Sequence, residues 1–173
     1  MKYTAISLAI LSAALAFTSC KKDDKTESEN ITKVVIHLSS PGFDQEFEAK
    51  ETNDDGIWDS IDEIILPSLT GDITCHVHVY DETQTPVADL TEEIEAESNA
   101  HIFTFKVTGA DLQIRSNDMD AAGNPFNLET LWDAGDVSNG TVQIKLHHDP
   151  TDKNATDPGG EVDFDLSFPV KIQ

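Results

Sequence analysis

The chain has 173 residues, with 33 Asp+Glu against 11 Lys+Arg and a formal net charge of −22. That length allows one domain, or at most two small ones, plus a terminal segment, and so acidic a chain suits neither nucleic acid, whose phosphates need clustered Lys and Arg, nor polybasic docking on anionic lipid. Hydrophobic residues make up 38% and the mean hydropathy is −0.33, too apolar and too patterned for a wholly disordered chain.

The first element is an export signal. Met1-Lys2-Tyr3 carries one positive charge, an apolar stretch runs from Ala5 to Phe17, and Thr18, Ser19 and Cys20 follow. A short basic start, a short apolar core and small residues before a cut make a secretory signal peptide over residues 1–19. The apolar run is shorter than the ~20 residues a membrane span needs. Phe17-Thr18-Ser19-Cys20 resembles the lipobox of bacterial lipoproteins, which implies cleavage before Cys20 and lipidation of its thiol. Several acyl chains, at ~0.8 kcal/mol per buried CH₂, would hold the protein to a membrane. Lys21-Lys22-Asp23-Asp24 resembles the lysine-then-acidic export signal of Bacteroidota surface lipoproteins, which implies the outer leaflet of the outer membrane. Residues 20–30 then read as a lipidated cysteine and a polar, disordered tether, because KKDDKTESEN has no apolar residue.

From residue 31 to 173 the chain reads as one β domain. Strand signals recur at short spacing. Ile31–Ser39 sets Val34, Ile36 and Leu38 on one face. Phe43–Ala49 alternates weakly, and Ser60–Leu66 leads to Pro67. In Asp72–Tyr80 the residues Ile73, Cys75, Val77 and Val79 face one way, while Thr74, His76, His78 and Tyr80 face the other. A lone thiol on that apolar face suits packing. Leu90–Ala100 is the one helical candidate, with Asp89 as cap and an acidic first turn. His101–Val107, Leu112–Arg115, Asn127–Asp133 and Thr141–His148 are further strands. The last strand alternates most clearly. Val162, Phe164, Leu166, Phe168, Val170 and Ile172 share one face, and Asp163, Asp165, Ser167, Pro169 and Lys171 share the other. Pro169 marks an edge or a bulge.

Short strands with one polar face each predict antiparallel sheets covered on one side. Two of them packed together make an all-β antiparallel sandwich of the immunoglobulin or fibronectin kind, with at most one short helix. A closed barrel is the alternative.

Candidate sites are few. Asp118-Met119-Asp120, then Gly123-Asn124, offers carboxylates two apart and a glycine for a sharp turn, the pattern of a calcium loop with Asp118, Asp120 and Asn124 as ligands. Asn53-Asp54-Asp55-Gly56 followed by Asp59 is a second, weaker case of that pattern, and the same residue types also serve as plain turn formers. Among six histidines, His76 and His78 share a polar strand face about 6.6 Å apart. That spacing can set two imidazoles on one zinc or copper ion if a neighbouring strand adds a third ligand. His37 and His147 also fall on outward faces. His101 and His148 instead continue apolar faces, where a histidine is commonly a hydrogen-bonded boundary residue. The long loop from His148 to Gly160 joins two strong strands and is exposed, a common location for binding. No Gly-x-Ser-x-Gly, His-Glu-x-x-His or phosphate-loop motif occurs, so the chain reads as a non-enzyme.

Asp89–Glu97 with His101-Ile102-Phe103-Thr104-Phe105, Asp118-Met119-Asp120 through Pro125, Leu146-His147-His148-Asp149-Pro150, and Gly159–Ile172 together resemble a family of small Bacteroidota outer-membrane lipoproteins, often encoded beside TonB-dependent receptors. The stretch Asn53–Asp55 departs from that pattern. The family has no established chemistry, so the resemblance lends no functional residues. It implies a surface binding or accessory module with a TonB-dependent receptor as partner. Capture of a divalent metal ion, calcium or zinc, is the second expectation. Asp59-Ser60-Ile61 further resembles the short Asp-Ser/Thr-apolar O-glycosylation sequon of Bacteroidota.

Overall fold

The computed structural model describes residues 29–53 and 55–173. The expected signal peptide, Cys20 and the segment Lys21–Asp24 lie outside the described residues, as does Asp54.

Among the described residues, eleven strands and one short helix form in chain order. They are β1 (Lys33–Ser40), β2 (Phe43–Lys50), β3 (Ser60–Ile61), β4 (Ile64–Leu66), β5 (Thr70–Asp81), β6 (Ala88–Asp89), α1 (Thr91–Ala96), β7 (His101–Thr108), β8 (Leu112–Ser116), β9 (Glu129–Ala134), β10 (Ser138–His148) and β11 (Glu161–Ile172). A seven-stranded sheet runs β3-β2-β1-β5-β9-β8, with β6 also on β5. A four-stranded sheet runs β4-β11-β10-β7. The all-β sandwich expected from the alternation is the fold. All pairings are antiparallel except β4 with β11, which is parallel.

Alternation explains the core. Val34, Ile36 and Leu38 of β1 and Ile73, Cys75, Val77 and Val79 of β5 have no exposed surface. They meet Val142, Ile144 and Leu146 of β10 and Phe164 through Ile172 of β11. Trp132 of β9 is fully buried. Its indole N–H donates to Thr130 Oγ1 at 2.9 Å, and Phe105 of β7 meets its ring edge-on at 6.2 Å, so aromatic contact crosses between the sheets.

Three expectations shift in detail. Ser60–Leu66 divides into β3, which joins β2, and β4, which joins β11. The helix is shorter than Leu90–Ala100, and Asp89 Oδ1 accepts the Thr91 N–H at 2.9 Å from just outside it. His147 keeps its outward face and is covered there by the 149–160 loop, with Nδ1 3.1 Å from the Gly159 carbonyl and Nε2 3.2 Å from Thr104 Oγ1, whereas Val162 leaves the apolar face expected of it. The cause of that departure is a register shift in the β10–β11 ladder. Leu146 pairs with Phe164 and His147 pairs with Val162, so Asp163 is the extra residue of a bulge. A bulge breaks the alternation and re-aims side chains. Val162 accordingly turns out to solvent.

The chain between residues 29 and 32 spans the end of the sandwich. Asn30 Nδ2 donates to Asp81 Oδ1 at 3.2 Å, and the Thr32 N–H donates to the Tyr80 carbonyl at 2.9 Å. Glu29 and Asn30 therefore contact the domain, although composition assigns them to the tether.

Candidate metal centre

The bulge sits at one end of the four-stranded sheet, where β7 begins and β10 ends. His101 opens β7 and pairs directly with His148, the last residue of β10. Their rings lie 4.5 Å apart, centroid to centroid. Asp163 comes from β11, and Glu29 arrives from the chain segment before β1. One ligand atom from each of Glu29, His101, His148 and Asp163 lies within 4.8 Å of all the others.

His101 is completely buried, and its Nδ1 lies 3.2 Å from the Glu97 carbonyl. An Nδ1–H donated there turns Nε2 towards Glu29 Oε1, also 3.2 Å away. An imidazole that donates one N–H to a carbonyl and turns its other nitrogen to a site is the usual arrangement of a metal-ligating histidine. His148 Nδ1 is buried without a hydrogen bond, 3.7 Å from Glu29 Oε2, which is likewise buried and without one. Gly160 holds the backbone close. Its φ is +84°, and a Cβ there would stand 2.2 Å from the His148 carbonyl oxygen. The Asp149 N–H closes the corner by donating to the Ala100 carbonyl at 2.7 Å.

The electrostatics follow from two carboxylates beside two imidazoles. Burial and the adjacent Glu29 charge push the Asp163 carboxyl up to about 6, against the opposing pull of His148 and His101. The close approach of the two carboxyls adds to that upward push. Burial also resists ionisation of Glu29, but its hydrogen bond with His101 prevails and holds it below its ordinary value. Burial disfavours a charged His101, yet the Glu29 hydrogen bond and charge hold it above its ordinary value. The cluster therefore takes up a positive charge readily. At acid pH that charge is protons. Near neutral pH a divalent cation can supply it.

A prediction follows for the metal-free protein. Between the unfolded Asp value of 3.8 and the folded value of about 6, the folded state binds the extra proton. Stability therefore falls as pH rises through that window. His101, raised above 6.5, works in the same direction at higher pH. Asp163→Asn should relieve the Asp163 share, stabilising the metal-free fold at pH 7 by about 1–2 kcal/mol and doing little below pH ~4. Urea melts at both pH values check this. An equal effect at the two would disprove the assigned window.

The expected calcium loop uses its oxygens differently. Asp118 accepts the backbone N–H groups of Asn127 and Glu129. Asp120 Oδ1 accepts those of Ala122 and Asn124, both at 2.9 Å. Asp120 Oδ2 faces the ammonium of Lys153 at 2.8 Å, with both side chains buried. Asn124 Oδ1 accepts from Asn154 Nδ2 at 3.2 Å. A lysine supplies the cation at this turn, and Lys153 also donates to the Ser98 carbonyl. The 149–160 loop is thereby clamped to the 118–124 turn and to the chain leading into His101. A cavity of about 480 Å³ lies beside it, lined by Asn99, Asp120, Asn124 and Pro150 to Asn154.

His76 and His78 lie side by side on the outer face of the seven-stranded sheet, with ring centroids 4.5 Å apart. They belong to β5 of the seven-stranded sheet, whereas His101, His148 and Asp163 of the four-residue cluster lie on strands of the other sheet. His101 and His148 were legible as candidates because each ends an apolar face. Glu29 and Asp163 were not. The first lies in a segment without apolar signal, and the second has the parity of an outward residue. No protein family, curated protein or solved structure matches this chain.

Proposed function

We propose that this protein is a non-catalytic, lipid-anchored module that captures a divalent transition-metal ion, zinc foremost, through Glu29, His101, His148 and Asp163. The carrying observation is the convergence of four ligand atoms within 4.8 Å from four separate chain segments. Two imidazoles and two carboxylates are a fitting tetrahedral set for zinc, which takes N and O ligands at ~2.0–2.2 Å. A bound ion would offset the crowded negative charge of Glu29 and Asp163 and give His148 Nδ1, which has no hydrogen bond, a partner.

The test uses the full chain purified with its anchor. Elemental analysis after dialysis against zinc-containing and then zinc-free buffer should show one zinc per chain. His101→Gln/His148→Gln should lose it. Retention of zinc by that variant, or no zinc on the wild type, would overturn the reading.

The anchor and its orientation rest on Phe17–Cys20 and on Lys21-Lys22-Asp23-Asp24. Cys20 carries the lipid, the outer membrane is the location, and the domain faces outward, where an accessory role to a TonB-dependent receptor fits. Cys20→Ala should abolish incorporation of a palmitate analogue. Protease added to intact cells should remove the wild-type domain, and alanines at Lys22, Asp23 and Asp24 should protect it. Undiminished label in Cys20→Ala would rule out the anchor.

A further inference from the structure

The outer face of the seven-stranded sheet carries a second set of ligating groups, independent of the cluster above. In the β1–β2 ladder Glu46 is directly opposite His37. In the β1–β5 ladder His37 is directly opposite His76. In the β5–β9 ladder His76 is directly opposite Glu129. Directly opposed residues share a face, with Cβ atoms about 4.5–5.5 Å apart. The registers therefore build one row, Glu46–His37–His76–Glu129, across four adjacent strands. His78 stands beside His76 on the same strand face.

We propose that this row, with His78, is a second and shallower site for a divalent transition ion that favours imidazole, copper(II) foremost. Two observations besides the row support it. His76 Nδ1 is buried and has no hydrogen-bond partner. His37 Nε2 lies 2.7 Å from Asp44 Oδ1, so a carboxylate steadies the ring through one nitrogen and leaves Nδ1 as the ligating atom, the outer-shell arrangement usual at such centres. Three imidazoles favour copper over the other first-row divalent ions. Among the described residues only the Glu29 cluster has three or more ligand atoms already converged. The ion must therefore draw the outer-face rings together, and this second site binds more weakly than a preformed one.

The experiment titrates CuCl₂ into the full chain in detergent and follows backbone amide signals by NMR. Sub-stoichiometric copper(II) should broaden amides of residues 36–38 and 75–79 in the wild type and in His101→Gln/His148→Gln. His76→Gln/His78→Gln should abolish that broadening while the protein still retains zinc at the Glu29 cluster. Asp44→Asn should weaken copper binding about tenfold. The wild-type measurement needs no variant to fold. Broadening confined to the surroundings of His101 and His148, or broadening of residues 36–38 and 75–79 that survives His76→Gln/His78→Gln, would overturn the outer site. Neither result would touch the zinc reading, whose failure is read separately from the loss of zinc in elemental analysis.

Discussion

Phe168→Ala should destabilise the fold by about 3–5 kcal/mol. Phe168 has no exposed surface and lies in β11, opposite Val142 of β10, which is also fully buried. The β10–β11 ladder runs on both sides of Phe168 and holds the backbone in place, so the space left by the ring closes only in part. A loss of that size is a large share of the ~5–15 kcal/mol that holds a typical domain together. Asp165→Ala is the control on the opposite face. Its carboxylate is exposed and meets Lys145 Nζ at 2.8 Å and Gln143 Nε2 at 2.7 Å. Exposed ion pairs contribute roughly 0–1 kcal/mol, so this change should be small. Urea melts of both variants decide it. Equal losses would mean that the outer face of β11 is buried as well.

Lys153→Met should be comparably costly, about 3–5 kcal/mol, because it leaves the Asp120 carboxylate buried without its counter-charge. The side chains of the pair are 6% and 1% exposed. Burial disfavours the Asp120 charge, but Lys153 and the N–H groups of Asn124 and Ala122 overcome it and hold the carboxyl down to about 2. A depressed carboxyl contributes stability that is complete above the unfolded value of 3.8 and is lost as pH falls towards 2. The cost of Lys153→Met should therefore shrink in acid, where Asp120 in the variant is protonated. Asp120→Asn/Lys153→Met should recover part of the loss, since no charge is then stranded. Melts at pH 7 and pH 3 provide the check, and a pH-independent cost would exclude the pair as its source. The same variant frees the 149–160 loop from the Ser98 carbonyl, so zinc affinity at His148 should also fall.

The two classes of prediction differ in how far the sequence alone supports them. Phe168 belongs to a strand whose alternation runs unbroken from Phe164 to Ile172, and five apolar residues at period two allow only one buried face. The Lys153–Asp120 pair spans 33 residues of sequence. No local pattern marks Lys153 as buried, since a lysine in a polar loop reads as solvated. Its partner is chosen by where the loop lies once both sheets have packed.

The same division runs through the metal-ligating residues. His101 and His148 could be read as boundary residues of apolar faces, because side-chain parity within a strand is a local property. That they face each other is a matter of register between β7 and β10, which distant segments determine. Asp163 misled the parity argument because one extra residue in β11 shifts the ladder between Leu146 and His147. Nothing in the alternation of Val162–Ile172 announces that bulge. Glu29 carries no periodic signal at all, and it reaches the cluster only because residues 30–32 bond across to Tyr80 and Asp81. The sequence by itself determined the layers, the faces and the core of this protein, since hydrophobic period and strand parity are short-range. Only the tertiary structure decided which carboxylates meet which imidazoles, because register, bulge position and the path of the leading segment depend on contacts that chain neighbours do not encode.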